Sequence, residues 1–154
     1  MVYIDPNVVD LVAAKLNLDA TLTAIDGYSI LTNISMKALA SSRVTGRTIE
    51  NKLTLINETG GGGSSQNAGS GDVQEWRQIE VETYVRTLED TENAKTAIDA
   101  IYRQIRKVLV QANFDGTGIL DWHESSAKYT SVPLGFMAAH RLVYEFLVTF
   151  GGSD

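Results

Sequence analysis

Residues 75–112 read EWRQIEVETYVRTLEDTENAKTAIDAIYRQIRKVLVQA and contain two successive periodicities. Between residues 78 and 87 apolar and polar side chains alternate, which is the period of a β-strand with one buried face. One face carries Ile79, Val81, Thr83 and Val85, and the other carries Glu80, Glu82, Tyr84 and Arg86. The pattern predicts a strand whose second face, including Tyr84, is polar and exposed.

After a short break the apolar spacing changes to three and four residues, as on one face of a helix. The apolar positions are Ala94, Ala97, Ile98, Ile101, Ile105, Val108, Leu109 and Ala112. Asp99 precedes Arg103 by four residues, a spacing that supports a helix. Glu89, Asp90 and Glu92 stand at its start, where acidic groups favour the helix dipole. We therefore expect one long helix that packs on a sheet.

The length of 154 residues predicts a single domain, residues 1–154, with one core. A net charge of −6 without clustered Lys and Arg argues against a surface that grips nucleic acid. The chain has no cysteine, which excludes disulfides and thiolate metal sites. It contains no apolar run as long as a membrane span and no signal-peptide pattern, so we expect a soluble, unprocessed protein that does not associate with membranes.

The N-terminal part predicts a helix and a short strand. Asp5 is the expected N-cap of the helix, with Pro6 at its first position, where the missing N–H costs nothing. The helix should end near residue 17 or 18. Asp26-Gly27 is a turn signal, and residues 28–31 have the composition of a short strand.

A glycine-rich segment separates two predicted strands. Residues 48–58 have the composition of a strand, and residues 60–71, GGGGSSQNAGSG, have the composition of a flexible linker. Because the flanks on both sides are strand-like, we expect an antiparallel hairpin with a long mobile tip. The rival interpretation is a domain boundary, which is disfavoured because neither half carries enough apolar pattern to fold alone.

The C-terminal part predicts further strands. Asp115-Gly116 and Gly118 break the chain after the long helix, and residues 119–131 contain one or two short strands around Trp122 and Tyr129. Pro133 and Gly135 form another loop. Residues 140–150 are apolar on both faces, so this last strand should lie centrally or be covered on both sides. The fold class is therefore α+β, with an N-terminal helix and one long helix on a mainly antiparallel sheet.

Two short motifs resemble ligand-binding loops only weakly. No Lys-Ser/Thr pair and no helix follow the glycine run, so a nucleotide-binding loop is disfavoured. If Asp115 and Gly116 stood at the fifth and sixth positions of a calcium loop, its first and twelfth positions would be Gln111 and Trp122. Neither side chain supplies the carboxylate that calcium requires there.

The residue types of a hydrolase triad occur side by side at His123, Glu124 and Ser125. Three adjacent residues cannot point at one another in triad geometry, and no nucleophile elbow is present. His140 opens an apolar strand, where a histidine is more often a surface or core residue than a ligand, and two histidines offer little for zinc. We expect no catalytic, cofactor-binding or metal site.

Several segments together resemble the tail terminator proteins, also called tail-to-head joining or tail completion proteins, of long-tailed phages and related viruses. These segments are the helix at 6–16, LTLINETGG at 53–61, WRQIEVETYVRT at 76–87, ENAKTAIDAIYRQIRKVL at 92–109 and HRLVYEFLVTF at 140–150. The likeness covers most of the chain and consists of hydrophobic pattern and element order. Residues 19–47 have no counterpart in it.

The resemblance implies a structural virion protein without enzymatic activity, made in the host cytoplasm. Such proteins form a ring, usually a hexamer, that caps the tail tube and offers a surface to the connector of the head. DNA would pass through this ring without specific binding, and Glu80 and Glu82 are candidates for an acidic lining that repels it. The alternatives are another neck or head-completion adaptor or tail component, and a small ligand-binding or enzymatic α+β domain.

The glycine-rich segment is a candidate contact with a neighbouring subunit or with the tube. Ordering so many glycines is entropically costly, and backbone hydrogen bonds to a partner would offset this cost. We expect the segment to be mobile in the isolated subunit and ordered in the particle. The proposed interface residues are Gly60, Gly61, Gly62, Gly63, Ser64, Ser65, Gln66, Asn67 and Gly71.

Overall fold

The computed structural model of the protein describes residues 5–36, 52–66, 72–86, 91–131 and 138–151. Within these ranges the elements, in chain order, are helix α1 (Val8–Asn17), helix α2 (Ala20–Thr23), strand β1 (Tyr28–Thr32), strand β2 (Lys52–Gln66), strand β3 (Asp72–Val85), helix α3 (Thr91–Gln111), strand β4 (Ile119–Tyr129) and strand β5 (Ala138–Gly151). None of these helices is long and apolar enough to cross a membrane.

The strands form a five-stranded sheet in the order β1-β2-β3-β5-β4. Strand β1 runs parallel to β2, and the other neighbouring pairs are antiparallel. The predicted α+β class with a mainly antiparallel sheet is confirmed, as is the predicted hairpin of β2 and β3. Strand β5 lies between β3 and β4, which agrees with the apolar character of both its faces.

Helices α1 and α3 pack on one face of the sheet, which we call the helix face. Its core contains Ile101, Ile105, Tyr144 and Phe146, each at most 2% exposed. The inward residues of β3 and the apolar stripe of α3 meet there, because each element has one apolar side to bury. The long helix was therefore correctly predicted, while Glu89 and Asp90 before it lie outside the described residues.

Helix α1 begins two residues later than predicted. Asn7 is the N-cap, and its side-chain Oδ1 accepts a hydrogen bond from the Asp10 backbone N at 3.1 Å. The prediction of Asp5 as the cap is wrong, because the Asp5 carboxylate instead binds Arg77 of strand β3. Leu18 is the C-cap, as expected from the sequence.

Part of the glycine-rich segment, which was predicted to be a flexible loop, is a strand. Strand β2 continues to Gln66, and Gly60–Gln66 pairs with β3 from Gln78 to Val73. Backbone hydrogen bonds need no side chain, so β3 holds this segment as a strand despite its linker composition. Register shifts occur between Glu58 and Gly60 and between Gly62 and Ser64. Residues 67–71, which contain Asn67 and Gly71, lie outside the described residues.

The second face of the sheet, opposite the helices, is partly covered. Tyr84 is 5% exposed there and clusters with Leu53, Leu55 and Ala139, against which Leu31, Ile34 and Met36 pack. The prediction that Tyr84 is exposed is wrong, because the chain that leaves β1 folds over this part of β3.

The region after α3 forms a single strand where the sequence predicted one or two short ones. Strand β4 runs from Ile119 to Tyr129 and contains two register shifts against β5. Gly116 and Gly118 turn the chain into it with φ of +77° and +91°. A side chain at position 118 would also come within 2.8 Å of the Thr149 carbonyl oxygen. The predicted loop at Pro133 and Gly135 lies outside the described residues.

Candidate interaction surfaces

The sheet has two open edges on opposite sides. Strand β1 pairs with β2 only as far as Ile56, and in the described part of the chain no strand covers the other edge of β2 from Asn57 to Gln66. We call this stretch the β2 edge. On the far side of the sheet β4 pairs with β5 alone, so its outer edge is also uncovered by the described strands. An open edge offers unpaired N–H and C=O groups to another chain.

The glycine-rich residues that the sequence singled out lie on the β2 edge. Gly60–Gln66 forms its distal part, and Gly60 itself adopts a φ of +146°, which a residue with a side chain adopts rarely. The glycines leave the edge without side chains at successive positions, so a neighbour can approach the backbone closely. That these residues contact a neighbouring subunit or the tube stays a prediction.

Acidic side chains surround Arg77 beside the β2 edge. The guanidinium donates to the Glu75 carboxylate at 2.7 Å, to the Pro6 carbonyl oxygen at 2.7 Å and to the Asp5 carboxylate, and Glu58 lies 3.7 Å away. Arg77 is 11% exposed, whereas Asp5 and Glu58 are 60% and 47% exposed. Three carboxylates thus face one largely covered cation. We call Asp5, Glu58 and Glu75 the acidic rim.

The acidic rim opens into a depression of about 300 Å³. Its lining includes Asp5, Pro6, Asn7, Asn33, Glu58 and Arg77. This cluster was not predictable from the sequence, because Asp5 and Arg77 are far apart in the chain. One local feature of the sequence does indicate part of the cluster: Glu75 and Arg77 are two residues apart on a strand, so their side chains share one face.

Basic side chains gather on the opposite side of the molecule. Arg103, Arg106 and Lys107 are exposed on the C-terminal half of α3, and we call them the basic ridge. Arg106 binds Glu124 of β4 through its Nε at 2.7 Å, so the ridge lies beside the β4 edge. Val110 follows the ridge and is 76% exposed.

A groove of about 330 Å³ separates the C-terminal half of α3 from β4. Its lining consists of Arg106, Val110, Asp121, Trp122, His123, Glu124 and Tyr144. The Trp122 indole N–H donates to the Leu109 carbonyl oxygen at 2.9 Å and fixes one wall. Burial and the Glu124 carboxylate raise the pKa of Tyr144 above its ordinary value, so its hydroxyl stays protonated.

Glu80 and Glu82 lie side by side on the second face of the sheet with Tyr84 and Arg141. Glu82 accepts a hydrogen bond from the Tyr84 hydroxyl at 2.5 Å, and an Arg141 guanidinium nitrogen lies 3.9 Å from it. Burial and the Glu82 carboxylate raise the pKa of Glu80, while Arg141 opposes the shift. The pair therefore lies beside one tyrosine hydroxyl and one cation. Its predicted role as an acidic lining stays a prediction.

His140 lies in the core between two tyrosines. Its ring stacks on Tyr102 with centroids 3.7 Å apart and meets the edge of Tyr129 at 5.1 Å, and the Tyr129 hydroxyl donates to Asp99. The side chain is 3% exposed and its Nδ1 has no hydrogen-bond partner. Burial lowers the pKa of His140, and the charges of Asp99 and Arg106 act in opposite directions on it.

The residues that resemble a hydrolase triad and a calcium loop do not come together as a site. His123 pairs with Glu145 at 3.0 Å on the second face, while Glu124 pairs with Arg106 on the helix face. The Asn113 side chain accepts a hydrogen bond from the Asp115 N–H at 2.8 Å, which makes a local turn. Among the described residues, no three His, Asp or Glu side chains come together to hold a metal ion.

Comparisons with known proteins provide no family for this chain. No protein-family model matches the sequence, and no curated protein matches it either.

Proposed function

We propose that this chain is a structural virion protein, a ring subunit that ends the tail tube of a long-tailed phage and joins the tail to the head connector. The observation that carries the proposal is the pair of open edges on opposite sides of one sheet. A subunit with two different, opposite contact surfaces joins its copies head to tail, and such contacts generate a ring when the rotation closes. The resemblance in element order supports the same conclusion.

The partners follow from the position of such a ring. One end of the ring contacts the tail tube protein, and the other end contacts the head-side connector or neck protein. DNA passes through the centre of the ring without sequence-specific contacts. The segment that joins β2 to β3, residues 67–71, is the one we assign to contact beyond the subunit. The protein then resides in the virion, at the tail or neck.

The proposal is tested on tails that are assembled without the protein. Adding purified protein should place a ring at one end of each tube and restore joining to filled heads, as counted by electron microscopy and infectious titre. Binding to heads rather than tails would assign the chain to a neck or head-completion adaptor. Failure to bind either structure would contradict a role at the junction.

A second candidate function rests on the groove between α3 and β4. Its volume of about 330 Å³ falls at the lower end of ligand pockets, and it combines an apolar wall with Arg106, Glu124 and Tyr144. A small anionic ligand held by Arg106 is the chemistry it would accept. Calorimetry with carboxylates and phosphate separates the candidates, because saturable binding lost in Arg106→Gln would favour a ligand-binding domain.

A further inference from the structure

Charge and apolar exposure are divided between the two open edges. The acidic rim lies at the β2 edge, where Glu58 belongs to the strand and shares a depression with Asp5. The basic ridge lies at the β4 edge, where Arg106 and Val110 share a groove with residues of the strand. Helix α1 contacts β1 and β2, whereas α3 contacts β3 and β5, so the two charged regions stand on different sides of the helix layer.

The exposed apolar side chains also favour the β4 edge. Four large hydrophobic side chains are exposed in the described part of the chain, and three of them, Val110, Leu120 and Tyr129, lie on α3 or β4. Their exposed fractions are 76%, 48% and 47%. Leu120 and Tyr129 stand near the two ends of β4 and Val110 borders the groove beside it, so this edge offers apolar area to a partner along its length. The β2 edge offers the opposite property, a run of glycines with no side chain to obstruct an apolar neighbour.

We infer that the β4 edge of one copy, with its basic ridge, docks on the β2 edge and acidic rim of the next copy. The inference rests on the proposed ring and names the surfaces that build it. Unlike charges bring the two edges together and set their direction, and apolar contact with the glycine run excludes water from the centre. The second copy is the fitting occupant because one chain carries both complementary surfaces.

The register shifts in both edges explain why the contact stays specific. A bulge interrupts the regular series of unpaired backbone groups and twists the edge, which discourages pairing with unrelated strands. Strand β2 is shifted at Glu58/Gly60 and Gly62/Ser64, and β4 has two shifts of its own. Docking between the two edges therefore depends on their charge and shape, and reversing the charge of one edge should weaken the contact.

The test uses two variants of the full chain. Glu58→Lys with Thr59→Lys makes the β2 edge basic, and Arg103→Glu with Lys107→Glu makes the ridge acidic. All four positions are exposed, so folding should be retained. Sedimentation equilibrium up to millimolar concentration, at low and high salt, measures self-association. We expect each variant to raise the dissociation constant at least about tenfold and to reverse the salt dependence of the wild type, because salt weakens attraction between unlike charges and screens repulsion between like charges.

Mixing the two variants provides the decisive measurement. The native ridge of the first variant fits the native rim of the second, and the altered acidic ridge of the second fits the altered basic β2 edge of the first. The mixture should therefore associate although neither variant does alone. Thr21→Lys with Asp26→Lys makes the same chemical changes at exposed positions before β1 and should associate like the wild type. This control separates a local effect from a change in net charge.

The outcomes distinguish the inference from the proposed function. If the wild type associates and either double variant associates equally well, the inference is overturned, and the ring remains possible through other surfaces. A mixture that associates only as open chains supports the head-to-tail contact and contradicts the closed ring. Monomers throughout the concentration range, for the wild type and for the mixture, overturn the inference.

Discussion

Replacing Arg77 by leucine should loosen the N-terminal segment from the sheet. The substitution removes the hydrogen bonds to Glu75 and Asp5, leaves the Pro6 carbonyl oxygen without its donor and deletes a guanidinium that lies 5.4 Å from the Phe150 ring centroid. A buried charge-assisted hydrogen bond contributes about 1.5–3 kcal/mol. The exposed partners Asp5 and Glu58 regain water, so their share falls towards the value of about 0.2–1 kcal/mol for surface pairs.

We therefore expect a loss of about 2–3 kcal/mol in the free energy of unfolding, most of it from the contacts with Glu75 and Pro6. For a domain of this size the loss corresponds to a Tm lower by about 5–10 °C. Urea titration followed by circular dichroism measures the free energy, and limited proteolysis measures release of the segment before α1. Cleavage there should become faster than in the wild type.

Lys107→Leu is the matched control, since it replaces an exposed cation on α3 by the same side chain. Its free energy of unfolding should stay within about 0.5 kcal/mol of the wild type. If Arg77→Leu were as stable and as resistant to proteolysis as this control, the account of Arg77 as the anchor of the N-terminal segment would be refuted.

Three further predictions concern the core, the histidine and the hairpin. Ile105→Asp buries a charge without a partner, so circular dichroism should show an unfolded chain, whereas a cooperative melt near the wild-type Tm would place Ile105 outside the core. Burial is the main cause that lowers the pKa of His140 below its ordinary value of 6.5. As the pH falls, the unfolded chain therefore binds the proton at a higher pH than the folded protein does, and stability is lost below about pH 6.5. In His140→Phe the stability measured by urea titration should depend less on pH across this range, and an unchanged slope would contradict the assignment. Replacing residues 67–71 by Asn-Gly keeps the ladder of β2 and β3, so the monomer should fold while tail completion fails, and a normal infectious titre would exclude an assembly role for this segment.

The elements with a strong local period were predictable from the sequence. Helix α3 and strand β3 each repeat one apolar face over many residues, and the continuous apolar pattern of β5 indicated an interior strand. These three elements fixed the fold class, because a long amphipathic helix and two buried strands leave few arrangements for the rest of the chain.

The features that depend on distant residues were not predictable. Tyr84 has polar neighbours on its own strand face, yet it clusters with Leu53, Leu55 and Ala139 of the neighbouring strands, and Ile34 packs against this cluster. Gly60–Gln66 has linker composition, yet pairing with β3 makes it a strand. Asp5 has the sequence context of a helix cap, but in the fold its carboxylate binds Arg77 of strand β3. Local propensity is a weak guide wherever such tertiary contacts decide the structure.

The DNA-facing role of Glu80 and Glu82 is tested separately from assembly. Filter binding should show no retention of duplex DNA by the protein at low salt, because an acidic lining repels phosphates. Tight binding that weakens with salt would contradict the role. Glu80→Gln with Glu82→Gln should leave folding intact, since the glutamine side chains keep the shape of the pair and accept the hydrogen bond of Tyr84.

The central claim, that the chain is a ring subunit at the end of a tail tube, is tested most directly by electron microscopy of purified tails with bound protein. We predict a closed ring at the head-proximal end, with the β4 edge of each copy against the β2 edge of the next. Tails whose head-proximal ends carry no density for this protein, although it is present in excess, would contradict the claim.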